Sequence, residues 1–240
     1  MSVEIRAAVL AAAVAVSASI AHAAIIVDTF DQTSAAPLTV TTNIGPAGTT
    51  ITEAPSDVPA SQRNTTIKNT NMDIAGLDGI TSQVFTNVNN SLFNYSSTAG
   101  AQGTVELRYG TNPGALAHLN LSQATSIQIS FLAFDNANNG NMTISSSLAN
   151  STTSQALANV LVTTPGAQTI NIPISGIPSA ILSDTDVLTF DFIAPKAADF
   201  RIDAISITVP EPAPFALLAV AAGVAFLQRR PRRQPAYCRI

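Results

Sequence analysis

Tryptophan is absent from the 240 residues, and the single cysteine, Cys238, stands near the C-terminus. The body of the chain therefore holds neither a disulfide nor a thiolate metal site, and its stability must come from burial and strand pairing. Histidine occurs only as His22 and His118, so general acid-base catalysis by imidazole has little to work with. The chain also has none of the GxSxG, HExxH, phosphate-loop or dinucleotide glycine patterns. Charge is scarce, at 11% Asp, Glu, Lys and Arg. Between Ala24 and Val209 five basic residues stand against thirteen acidic ones. An acidic body excludes nucleic acid and anionic lipid as its partners, because both need positive surface.

What remains is rich in Thr, Ser, Asn, Ala, Val and Ile, which suits short strands on half-buried pleated surfaces. Alternating runs predict strands at 25–30, 103–109, 125–134, 141–148, 168–174, 186–194 and 199–209, with weaker ones near 38–44, 64–74 and 81–95. TNPG (111–114), NANNG (136–140) and TPG (164–166) supply turns, and no useful helix is expected between the two ends. The fold class is all-β, a single β-sandwich or jelly-roll-like domain over 24–208.

The ends differ from the body. Residues 1–23 read as a secretory signal helix, with Arg6, an apolar run and a small-x-small cleavage site at Ala21 and Ala23 for signal peptidase. At the other end Pro210-Glu211-Pro212 precedes an uncharged run, 213–227, and then Arg229, Arg230, Arg232 and Arg233, with 234–240 as a cytoplasmic tip. As a helix the run is about 22 Å long, short for a hydrocarbon core, and snorkelling arginines cover part of the gap. Arginines after the run hold its C-terminus on the cytoplasmic side, which leaves the body facing outward. The two prolines keep the tripeptide extended and unable to continue a ladder.

This order, over 209–233, resembles the PEP-CTERM sorting domain of exported proteins of Gram-negative bacteria. The resemblance implies an exosortase, a membrane-embedded cysteine transpeptidase, as partner. Pro210, Glu211 and Pro212 become its recognition residues, 213–227 a temporary transmembrane anchor and the arginines a membrane stop. It also implies a precursor held at the inner membrane and a product at the cell surface or in an exopolysaccharide matrix. PRRQPAYCRI departs from the family, whose members end soon after the arginines.

The opening run IIVDTF and the closing run FRIDAISI resemble the neighbouring first and last strands of jelly-roll domains of exported bacterial proteins. That likeness implies a structural calcium held by Asp28, Asp31 and Asp203, against the alternative of three solvated aspartates. No cofactor is otherwise required. Residues 135–141 imitate an EF-hand loop, but Ala137 occupies a ligand position and Ser146 stands where a bidentate Glu is needed. Asp184-Thr185-Asp186 reads as a turn, with calcium as the alternative, and His118 as a surface or satisfied strand histidine. The expected role is that of a non-enzymatic surface or matrix protein. A carbohydrate-binding module is the first alternative, with Tyr95 and Tyr109 as the residues to test. The second is a small glycoside hydrolase built on Glu106, for which the sequence offers no paired aspartate.

Overall fold

The computed structural model describes residues 22–31, 38–40, 49–54, 62–72, 84–98, 101–110, 118–136 and 140–210. The expected signal segment up to Ala21, and Glu211, Pro212, the 213–227 run and the arginines after it, lie outside the described residues. Among those described, the first strands are β1 (His22–Asp28), β2 (Leu38–Val40), β3 (Thr49–Glu53), β4 (Arg63–Met72), β5 (Val84–Asn89), β6 (Leu92–Ser97) and β7 (Ala101–Tyr109). There follow β8 (Ser126–Asn136), β9 (Met142–Ala149), β10 (Ser154–Ala156), β11 (Val160–Val162), β12 (Gln168–Pro173), a one-turn helix α1 (Ser179–Leu182), β13 (Val187–Ile193) and β14 (Ala198–Pro210). Of the two expected signal-cleavage residues, Ala23 lies within β1, and Pro210 ends β14.

The strands form two sheets, and the paired strands within each run antiparallel, as a β-sandwich requires. One sheet has the order β12-β8-β14-β6-β5-β2, with β1 also paired to β14. The other has the order β10-β9-β13-β7-β4-β3, with β11 also paired to β9. Residues 24–209 make one compact unit, in which the chain crosses between the sheets repeatedly from β6 onward.

Strict alternation explains the faces. In β7, Ala101, Gly103, Val105, Leu107 and Tyr109 turn inward while Gln102, Thr104, Glu106 and Arg108 turn outward. β9 and β13 follow the same two-residue period, so register sends one whole set of side chains into the core. Aromatic rings join the two layers. Phe200 of β14 stacks on Tyr95 of β6 at 4.6 Å and meets Phe192 of β13 at 5.6 Å and Phe131 of β8 at 6.0 Å. Phe190 and Phe192 continue the cluster to Tyr109, and Phe93 continues it to Phe30. Gly140 is required where it stands, since a Cβ there would lie 2.3 Å from Cβ of Pro195.

One irregularity matters for the site. The β14–β8 pairing shifts register between Arg201 and Ile202, and again between Ile202 and Ala204. Inward residues change phase accordingly, from Phe200 and Ile202 to Ile205 and Ile207 in β14, and from Ile127, Ile129 and Phe131 to Phe134 in β8. Such bulges re-aim the side chains beyond them.

Candidate functional site

Beyond the bulge, the outer face of the first sheet carries a polar cleft of about 690 Å³. Its floor is set by register. Asn87 of β5 lies opposite Asn94 of β6, which lies opposite Arg201 of β14, which lies opposite Ala133 of β8. In the next row Ser96 faces Asp199, and Asp199 faces Asp135. Four adjacent strands span about 14 Å at the usual spacing, so these groups form a grid rather than a point. Asn89 and Asn90 close one end, where Asn90 and Ser91 both take positive φ in the tight turn between β5 and β6.

The grid mixes amide donors and acceptors, carboxylate acceptors and one guanidinium, a set that matches a hydroxyl-rich surface. Among the described residues, Arg201, Asp135 and Asp199 make no side-chain hydrogen bond and no ion pair with the protein. Asn94 Nδ2 donates to the Leu92 carbonyl at 3.1 Å, which fixes its amide. Tyr95 contributes to the cleft wall but is 2% exposed, and its hydroxyl lies near Ser97 and Gly103 without a well-formed hydrogen bond. Burial pushes that phenol up to about 12.

Tyr95 and Tyr109 are therefore core residues and not stacking platforms for sugar rings, contrary to the test expected from sequence. Tyr109 is buried completely and donates its hydroxyl to Asp28 Oδ2 at 2.9 Å. Polar contacts have to carry any recognition in the cleft.

The three aspartates of the calcium expectation are not gathered into a ligand set. Asp28 is buried at the end of β1 with both oxygens engaged. Oδ1 accepts the Phe30 amide at 2.8 Å, and Oδ2 accepts Arg63 Nη1 at 2.6 Å as well as Tyr109. Arg63 also donates from Nε and Nη2 to Glu53 Oε2, at 3.1 and 2.8 Å, and its guanidinium lies 5.2 Å from the centre of the Phe30 ring. Burial raises the Asp28 carboxyl and Arg63 opposes the rise, while Asp28 holds the buried Arg63 above its ordinary value. Asp31 is exposed and accepts the Thr29 hydroxyl at 2.8 Å, and Asp203 is exposed on β14. A calcium ion at Asp28 would have to displace a guanidinium, so these residues do not fit one.

Glu106 does have an acidic neighbour. It pairs in register with Asp191 of β13 on the outer face of the second sheet, with Lys68 Nζ 3.8 Å from its Oε2. Burial raises the Asp191 carboxyl, Glu106 raises it further and Lys68 opposes both. His118, expected as a surface or satisfied strand histidine, is exposed and meets Asp184 and Asp186. The EF-hand imitation separates, with Asp135 and Asn136 in β8 and Gly140 beyond the strand.

No known family matches the sequence, and no curated protein matches it. Three solved structures illustrate what the fold is similar to. A family 4 carbohydrate-binding module shares 15% identity at a TM-score of 0.39, over 80% of this chain and 100% of that one. A family 29 module mutant complexed with mannohexaose shares 7% identity at a TM-score of 0.37, over 79% and 93%. PfGH50B shares 11% identity at a TM-score of 0.36 over 54% of this chain, which spans only 22% of that protein. Likeness at this level assigns neither family nor ligand.

Proposed function

We propose that the β domain binds a neutral, hydroxyl-rich polysaccharide along the outer face of its first sheet. The observation that carries this reading is the register-matched grid of Asn87, Asn94, Arg201, Asp199 and Asp135 on an open cleft. Adjacent rows and strands repeat donors and acceptors at a spacing comparable to one hexose unit, and Arg201 can donate two parallel bonds to neighbouring hydroxyls. Two carboxylates beside one guanidinium leave the floor net negative, which disfavours acidic polymers. The chain would act as a non-catalytic, exported surface or matrix protein. Its tail would be handed to an exosortase through Pro210, Glu211 and Pro212, a role supported by the sequence pattern alone.

Affinity electrophoresis of the full chain through gels containing neutral polysaccharides tests the binding. Arg201→Ala is expected to weaken retention by roughly 10-fold, the worth of about one charge-assisted hydrogen bond, and Asn94→Ala by roughly 5-fold, the worth of about one neutral one. Unaltered retention in the double variant would sink the assignment to this face. The sorting role is tested by the intact mass of the protein from its host and from a strain lacking exosortase. A product ending near Val209 to Pro212 only when the enzyme is present supports it, and a mass retaining 213–240 in both strains refutes it.

A second reading, glycoside hydrolysis, rests on the in-register Glu106–Asp191 pair, in which burial and the Glu106 charge raise the Asp191 carboxyl in the direction a general acid needs. Turnover abolished by Glu106→Gln would establish it.

A further inference from the structure

His118 and the Asp184-Thr185-Asp186 turn are far apart in sequence and are joined by a single backbone bridge. Leu119 and Thr185 exchange both hydrogen bonds, at 3.1 and 3.0 Å, and the buried Thr185 hydroxyl donates to the Ile181 carbonyl at 2.8 Å. The Asp186 amide donates to the Ala149 carbonyl at 2.8 Å. These bonds fix the backbone on which three side chains converge. His118 Nδ1 lies 2.6 Å from Asp184 Oδ1 and 3.2 Å from Asp186 Oδ1.

The convergence leaves an imbalance. Asp186 is 1% exposed, and neither of its carboxylate oxygens accepts a hydrogen bond. Nδ1 can carry one proton, and the shorter contact commits it to Asp184. A buried carboxylate without a hydrogen-bond partner is costly, and such a group in a folded protein points to an ion or ligand.

We propose that His118, Asp184 and Asp186 bind a divalent transition-metal ion of the zinc class. One such ion replaces the single shared proton, balances both carboxylates and engages all three side chains. Imidazole in the set favours zinc-like ions over calcium, which takes oxygen ligands. Tetrahedral binding asks for ligand atoms about 3.4 Å apart. The three side chains offer ligand atoms within 4.8 Å of one another, and the exposed His118 and Asp184 can adjust around the fixed Asp186. Three protein ligands leave one position toward solvent, for water or a donor from another molecule. The ion clips His118 to the residues just before β13, and none of its three ligands lines the cleft.

The test is calorimetric titration of Zn2+ into the full, untagged, chelator-stripped chain, with Ca2+ in parallel. One equivalent of Zn2+ is expected to bind, more tightly than Ca2+, with a saturable rise in Tm. Asp186→Asn should weaken binding by at least about 10-fold while keeping or raising the metal-free Tm, since it removes a buried charge that accepts no hydrogen bond. His118→Ala, at an exposed position, should fold normally and lose the Zn2+-dependent rise. Zn2+ affinity unchanged in His118→Ala, tighter binding of Ca2+, or no saturable binding by the parent chain would each overturn the site.

Discussion

Replacing Asp28 with Asn tests whether its carboxylate is a partner of Arg63 or a ligand for calcium. Asn keeps the size and one oxygen for the Phe30 amide, which holds Phe30 at φ 55 just after β1. It removes the charge facing a guanidinium that is 0% exposed. Breaking a buried pair costs about 3–5 kcal/mol when the surviving charge is left uncompensated. Arg63 keeps two bonds to Glu53, whose side chain is only 14% exposed, so the expected loss is smaller, about 2–3 kcal/mol. Urea unfolding with linear extrapolation measures it, with m unchanged if only stability moves. Arg63→Met and the double variant complete a cycle, in which the coupling should exceed about 1 kcal/mol because the two groups touch. A loss below about 0.5 kcal/mol, or additive single effects, would refute the ion-pair account. A calcium-dependent midpoint in the parent chain that vanishes in Asp28→Asn would refute it more directly and restore the metal reading.

Two further expectations concern the core that carries the cleft. Phe200→Ala removes the ring shared by Tyr95, Phe93, Phe131 and Phe192 and should cost about 3–5 kcal/mol in urea unfolding; a loss under about 1 kcal/mol would mean that these rings do not bind the sheets together. Tyr95 titrates at about 12 in the fold, against 10.0 for a free phenol, so its contribution is complete below pH 10 and is lost as the pH rises toward 12. That window is worth about 2 kcal/mol between its ends. Unfolding free energies of the parent and Tyr95→Phe should therefore diverge across it, and parallel curves would show that the hydroxyl is solvated.

Local patterning made the strands legible, and its failures have physical causes. The seven strong runs overlap β1, β7, β8, β9, β12, β13 and β14, most cleanly in β7, β9 and β13, where one set of side chains goes to a buried face at period two throughout. The weaker 81–95 region is in fact the hairpin of β5 and β6, turned by Asn90 and Ser91. β3, β10, β11 and α1 escaped notice. The three strands lie at sheet edges or pair with one neighbour over a few residues, where little burial imprints a pattern, and α1 is a single turn. Parity could have corrected one expectation, since Tyr95 shares its face with Phe93, and Tyr109 shares its face with Val105 and Leu107.

The site was hidden for a different reason. Its parts lie on β5, β6, β8 and β14, and only register brings Asn94 beside Arg201 or Glu106 beside Asp191. Nothing local encodes that register, because each pairing is fixed by the burial of a whole strand face. One trace was nevertheless present. IQISFLAF and FRIDAISI both break their two-residue period in mid-run, at Leu132 and at Asp203, and two long strands that change phase at a shared point must bulge against each other. The bulge lies beside Arg201, so the break in apolar phase marks where the outer face turns from a ladder into a cleft. In this sandwich the paired phase break falls beside the candidate cleft, a coincidence that no single polar residue of the sequence marks.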